Sequence, residues 1–438
     1  PAGTAARGTA FMFNRTRIDR AIVASLIIIT ISAITATAGW TEYVPYSYFS
    51  SASNTPAGET VSVAAPPYMF ADNKTVCNTG TPDFATIALA VADANTAVPA
   101  GGRNYLVCAG HTETAPAGGY SITATGASAA NPVTFIKDGV GTNPTITAAS
   151  PAGTAGNLND AIFKIIGADY VTIDGFTMLE NASNTTTAAG TNNMVEWGVA
   201  VLYASTTNGS QNITIRNNTI DLNRTYQNTF GIYSNSTHSA TAPTTSATAT
   251  GATGGNHSLV ITGNSITDVN TGIAVVGPTA AADQNDGLTI GGTALNANTI
   301  TNYGTTGAFS SYANVSGTVN GIQIRNIKNF TISYNTVQSS NGGVTSGTLR
   351  GIFVNGFSNA PTGTITNSIN NNNVSVRSGL AGGAILGVHN DSTTTNATTT
   401  LNINNNDFNT FGHTVSGTAA ITGIQQASTA GTLNILNN

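Results

Sequence analysis

The decapeptide QNITIRNNTI at Gln211–Ile220 returns in altered form as HSLVITGNSI from His257, KNFTISYNTV from Lys328 and TTLNINNNDF from Thr399. Each copy alternates apolar and polar residues, then places an asparagine and a further apolar residue. The anchoring isoleucine falls at Ile173, Ile215, Ile261, Ile290, Ile332, Ile369, Ile403 and Ile435. Between these copies runs a second motif of the Gly-Ile-x-Val kind, beginning at Gly198, Gly231, Gly272, Gly321, Gly351, Ala384 and Gly423. Spacing varies from 29 residues (Ile261 to Ile290) to 46 (Ile215 to Ile261), but the order of the two motifs is constant. Strands of three to five residues are unstable alone, and Asn-Gly hairpin turns are not systematic here. A period of roughly 20–50 residues that holds several short strands points to a solenoid.

If each repeat closes one coil, equivalent strands stack about 4.8 Å apart and complete one another's hydrogen-bond ladders. Alternation then sends Ile213, Ile215 and Ile220 inward, with Thr214 and Arg216 outward. The same parity holds for Leu259, Ile261 and Ile266, and for Phe330, Ile332 and Val337. Three positions after the anchor stand Asn218, Asn264, Asn335, Asn372, Asn406 and Asn438, with Asn298 in the equivalent place before Ile300. These residues are expected at a bend, forming a ladder of stacked amides and accepting a left-handed backbone where the bend needs one. Phe176 takes that place in the first copy, where apolar stacking is expected instead.

Composition agrees with many tight turns. Only 8% of the 438 residues are charged and 40% are hydrophobic, unlike a typical cytosolic enzyme. A net charge of −5 with this apolar content also excludes a disordered chain. The 14 Lys+Arg are thinly spread, which argues against nucleic acid, because phosphate neutralisation needs clustered cations.

The N-terminus reads as an export address. Arg15, Arg17 and Arg20 precede an apolar stretch from Ala21 to Ile34, and Ala36-Thr37-Ala38 gives a small-x-small cleavage pattern. The run is shorter than the ~20 residues of a membrane span. The reading is a leader and signal peptide over 1–38, with Met12 the true start and an uncleaved anchor the rival. No transmembrane span is expected once it is removed, and the product is expected outside the cell or on its outer surface. An exported chain can form disulfides, so Cys77 and Cys108 are expected to pair, two buried thiols being the alternative.

Residues 39–80 show no periodicity and read as an irregular lead-in. The segment 81–160 reads as a capping helix plus the first irregular coils. Within it, Thr81–Thr96 suits a helix capped by Thr81 with Pro82 first and Asp83 at the positive dipole end. Phe84, Ile87, Val91 and Ala94 share one face. Residues 161–438 read as regular coils. LNILNN at the end is half of a further repeat, so a longer parent protein is expected.

The stretch DAIFKIIGADYVTIDGFTML from Asp160, with the repeats that follow, resembles large secreted bacterial β-helix-repeat proteins of the pectate-lyase-like superfamily. The resemblance covers roughly Thr81–Asn438 and implies an all-β, right-handed parallel β-helix. That superfamily includes lyases, hydrolases, adhesins and tailspikes, so it leaves activity open.

The residues such enzymes use are largely missing. No Asp-Asp pair or Gly-His-Gly occurs, and IRNIKN at Ile324–Asn329 is not Arg-Ile-Lys. A calcium-dependent lyase needs several carboxylates on stacked strands with a nearby base. The nearest set is Asp174, Arg216, Asp221 and Arg224, in which Asp174 and Arg216 each follow an anchoring isoleucine. A cross-strand ion pair is the simpler reading. ADQNDGLTIGG from Ala282 departs from EF-hand spacing and reads as a turn. His111, His238, His257, His389 and His413 give no metal-ligand spacing, and His111 with Glu113 reads as a surface pair. Trp197 with Tyr203 offers sugar stacking, though packing is the plainer reading.

The sequence therefore favours a secreted or cell-surface scaffold without catalysis or cofactor: an adhesin, matrix component or glycan-binding stalk whose partner is a polysaccharide or cell-surface glycan. The alternative is a polysaccharide lyase or glycoside hydrolase acting on acidic polysaccharide, with calcium only in that case.

Overall fold

The structure, a computed structural model, describes residues 72–153, 160–188, 191–235, 248–304, 319–339, 348–379, 381–391, 397–427 and 430–438. The signal-peptide reading and the lead-in up to residue 71 lie outside the described residues.

Each coil passes through three sheets in turn. In one coil these strands are Val171–Asp174, Thr177–Leu179 and Trp197–Leu202. The next returns as Thr214–Arg216, Thr219–Asp221 and Phe230–Asn235. Among the described residues, sheet A stacks eleven strands from Asp72–Val76 to Thr432–Leu436. Sheet B stacks nine from Thr112–Thr114 to Asp407–His413, and sheet C nine from Tyr120–Ile122 to Ile421–Gln426. Every pairing is parallel, and the anchors align directly: Ile215 lies opposite Ile173 on one side and Ile261 on the other. The fold is a right-handed parallel β-helix. Ile213, Ile215, Ile220, Leu259, Ile261, Ile266, Phe330, Ile332 and Val337 are all buried in one continuous interior cluster. Stacking supplies the neighbours that a short strand lacks alone.

Between sheets A and B most coils turn in two residues, with a longer turn in the coil that holds Asn298. Asn218, Asn264, Asn298, Asn335, Asn372 and Asn406 are buried there, and Asn438 follows them at the exposed end. Each Nδ2 donates to the next Oδ1: Asn218 to Asn264 at 3.0 Å, Asn335 to Asn372 at 3.0 Å and Asn406 to Asn438 at 2.8 Å. The left-handed residue of the bend is not the ladder asparagine but the one before it. Asn217, Tyr334, Asn371, Asn405 and Asn437 have φ of 56°, 63°, 58°, 55° and 54°. The ladder residue keeps an ordinary backbone because its side chain must point into the stack. Phe176 begins the series by donating its amide to Asn218 Oδ1 at 2.9 Å.

The second motif is explained by a row of glycines where the chain enters sheet C. A Cβ on Gly272 would meet the carbonyl of Gly321 at 2.5 Å and Ile300 Cγ2 at 2.5 Å. Gly198, Gly231, Gly321, Gly351 and Gly387 face the carbonyl of the next glycine in the same way. In AILGVH, which the sequence aligns at Ala384, Gly387 occupies the row.

At the N-terminal end one helix, α1 (Ile87–Thr96), covers the interior with Ile87, Ala90, Val91 and Ala94. It begins five residues later than Thr81 suggests, with Thr86 as cap accepting from the Leu89 amide. The preceding residues are claimed by the first strand, since Phe84 N donates to Thr75 O at 3.0 Å and Cys77 N to Phe84 O at 3.1 Å. Asp83 accepts from Thr75 N at 2.8 Å, so it serves that strand rather than the helix dipole. Cys77 and Cys108 are joined in a disulfide that ties this segment to the second strand of sheet A. No helix among the described residues is long and apolar enough to cross a membrane.

Candidate functional site

Strand pairing in sheet A places Arg216 directly opposite Asp174. Arg216 Nε donates to Asp174 Oδ2 at 2.7 Å, and Asn217 Nδ2 donates to Oδ1 at 2.8 Å. Both carboxylate oxygens of Asp174 are thus engaged, and its side chain is 8% exposed against 46% for Arg216. Asp221 and Arg224 do not join this pair, because the chain crosses the asparagine bend between Arg216 and Asp221. Asp221 is on sheet B, where burial and then the neighbouring Asp268 push its carboxyl up. Arg224 Nε lies 3.6 Å from Asp268 Oδ1, and Asn302 also donates to Asp268. The four residues therefore form two ion groups on two sheets, and among the described residues no cluster could hold a metal ion.

His111 and Glu113 are not a surface pair. His111 is buried and its Nε2 sits 3.0 Å from Glu113 Oε2. The same carboxylate accepts the Ile87 amide at 2.7 Å and the Ala88 amide at 3.3 Å, capping α1. Although burial opposes it, His111, these amides and Tyr120 together hold Glu113 below the usual carboxylate range. Trp197 is fully buried and stacked on Tyr233 at 4.9 Å with 3° between ring planes, so it offers no sugar-stacking face. Tyr203 donates to Asn285 at 3.2 Å. In the 282–292 loop, Asp283 accepts from the Gly251 amide and Asp286 from Asn329, so both carboxylates tie the loop to neighbouring segments.

Two groupings escape sequence reading. The first gathers three acids where sheet B gives way to sheet C: Asp160 and Glu196 immediately precede sheet C strands, and Glu180 follows a sheet B strand. Glu196 Oε2 accepts the Asp160 amide at 3.0 Å, while its Oε1 accepts from Asn192 at 3.0 Å and Tyr226 at 3.1 Å. Glu180 accepts from Asn184 at 2.8 Å and the Val195 amide at 2.9 Å. Burial, outweighing Glu196 and Lys164, pushes Asp160 up to about 6. Burial likewise pushes Glu180 up to about 7, and burial with Asp160 drives Glu196 well above its ordinary value.

The second grouping lies on the outer side of sheet C, where pairing sets Phe353 opposite His389. Their rings stack at 5.1 Å. The Arg350 guanidinium lies 4.1 Å over Phe353, and its Nε donates to His389 Nδ1 at 2.9 Å. Burial pulls Arg350 down to about 10, only partly offset by Asp391. Burial and then Arg350 pull His389 down. Two-residue alternation misses these groups because sheet C is buried on both faces, so its outward residues look like core residues in sequence.

No family model matches the chain, and no curated protein matches it in sequence. It is similar to several solved structures. The Streptococcus pneumoniae surface protein and adhesin PfbA is 10% identical with a TM-score of 0.34, over 80% of this chain and 95% of that one. An alginate lyase from Paenibacillus sp. str. FPU-7 is 14% identical with a TM-score of 0.27, over 81% and 99%. The GH136 lacto-N-biosidase from Eubacterium ramulus is 10% identical with a TM-score of 0.35, over 81% and 68%.

Proposed function

We propose that the coils form a secreted or cell-surface scaffold that binds glycan along sheet B without cleaving it. The observation that carries this reading is a row of outward hydroxyls held in register by strand pairing. Thr112, Thr145, Thr177, Thr219, Ser265, Thr299 and Thr336 each face the next. None of them is buried. The row repeats about every 4.8 Å, presents donors and acceptors, and carries no charge, which suits the hydroxyls of an extended sugar chain. The disulfide supports an oxidising compartment. Against catalysis stands the Asp174–Arg216 pair, whose carboxylate oxygens are both already engaged by Arg216 and Asn217.

The test is binding of immobilised protein to neutral and acidic polysaccharides, with product release followed in parallel. Thr177→Glu with Thr219→Glu places charges in the row and should weaken binding at least about tenfold. Release of unsaturated or reducing sugar, abolished by Asp174→Ala or Arg216→Ala, would overturn this reading in favour of a lyase or hydrolase.

A further inference from the structure

We propose that Arg350, His389 and Phe353 form a binding site for an oxyanion, the carboxylate or sulfate group of an acidic ligand. Arg350 is half-buried, yet among the described residues no carboxylate lies within ion-pair distance of it. Its Nη1 is buried and without a hydrogen-bond partner. Burying a cation unpaired is costly, and a planar fork of donors is the group best matched to an oxyanion. The rest of the guanidinium is already positioned. Phe353 holds its face and His389 Nδ1 takes its Nε proton, leaving Nη2 as the terminal nitrogen that a ligand reaches first. Because Nδ1 accepts, the neutral His389 ring carries its proton on Nε2, which makes it a second donor. The aromatic stack fixes both groups, since Gln323 and Gln425 continue the row on either side of Phe353 and His389. This site is on sheet C and the hydroxyl row is on sheet B, so either can fail without the other.

Titration calorimetry on the whole chain tests it, with sodium sulfate, sodium acetate, a uronate oligosaccharide and a neutral oligosaccharide of equal length. At least one oxyanion should bind saturably to the wild type, and the neutral sugar should not compete for the site. Arg350→Gln should weaken that binding at least about tenfold. Without anion the same variant should melt at or above the wild-type temperature, because an uncompensated buried cation is gone. An Arg350 that is purely structural would instead melt lower and leave no anion effect in the wild type, which overturns the proposal. Equal affinity in wild type and Arg350→Gln overturns it too. Should Arg350→Gln fail to fold, Phe353→Leu keeps the apolar shelf but not the ring, and unchanged binding there would count against the site. Free sulfate or acetate binding as tightly as the oligosaccharide assigns the site to a free ion. Tighter oligosaccharide binding assigns it to a glycan.

Discussion

Asn264 Oδ1 accepts both the side-chain Nδ2 of Asn218 at 3.0 Å and its backbone amide at 3.1 Å, one coil away. The second Nδ2 proton of Asn218 goes back to Ile173 O at 3.1 Å. The ladder amides thus spend most of their hydrogen-bonding capacity on neighbouring coils, and sequence neighbours add only Ser333 O for Asn335 and Leu436 O for Asn438.

It follows that removing one rung orphans groups on the preceding coil and weakens the contact with the next. Asn335→Ala leaves the Asn298 amide and Nδ2 without their acceptor, and takes one donor each from Ile290 O and from Asn372 Oδ1, which keeps the Asn335 backbone amide. A buried unsatisfied group costs about 1–3 kcal/mol. The expected outcome is a loss of at least about 2 kcal/mol in denaturant unfolding, by the same principle. Amide exchange resolves where the damage falls: the Asn298 amide should exchange faster, while the Asn218 amide, two rungs further, should not. Equal acceleration along the ladder would show that the coils respond as one cooperative unit.

The glycine row makes a sharper contrast. Gly272→Ala should be strongly destabilising, because its Cβ would meet backbone oxygen and a β-branched side chain, neither able to retreat. Gly412→Ala, whose Cβ would meet nothing within 4 Å, should change the melting temperature little. Thermal unfolding of the two variants side by side checks the assignment.

Reduction of the Cys77–Cys108 bridge should act locally. The bond closes a 31-residue separation that contains α1, and losing such a loop constraint typically costs ~2–4 kcal/mol. In a stack where each coil touches only its neighbours, proteolysis after reduction should begin around α1 and leave the later coils intact. Uniform cleavage along the chain would contradict this.

How much of this was legible in sequence depended on where a residue's partners lie. Ile215 and Asn218 were readable because stacked coils repeat the same residue in the same role, so the pattern itself records the contact. The sequence puts helix α1 on the right residues but starts it too early, because Thr81-Pro82-Asp83 has the chemistry of a helix start. What competed was the pairing of Phe84 with Val76 of the strand just before it, which the helix pattern does not record. Arg350 and His389 stand 39 residues apart, and Asp160 and Glu196 stand 36 apart. Each occurs once, so no repeat announces it. The irregular residues are where candidate chemistry lies, and their meetings are fixed by loop lengths that vary from coil to coil.

The acid cluster yields a pH dependence whose sign can be worked out. Asp160 and Glu180 hold their protons up to about 6 and about 7 in the folded chain, and Glu196 is raised well above its ordinary value, all chiefly through burial. Unfolded, the same groups release theirs near pH 4. Between those limits the folded state binds more protons than the unfolded one, so stability must fall as pH rises. The contribution is fully present below about pH 4 and is lost progressively towards pH 7 and above. Burial disfavours Lys164 as a cation more than Asp160 favours it, so it does not cancel the loss. Glu196→Gln mimics the protonated acid, keeps an acceptor for Asn192 and Tyr226, and removes one ionisation from the cluster. Melting temperatures measured from pH 4 to pH 8 should therefore decline less steeply in Glu196→Gln than in the wild type, with the variant more stable at pH 8. A wild-type melting temperature that rises across this range, or a variant with the same slope, would mean that the three acids ionise without strain and that the bend between sheets B and C is held by its amide donors alone.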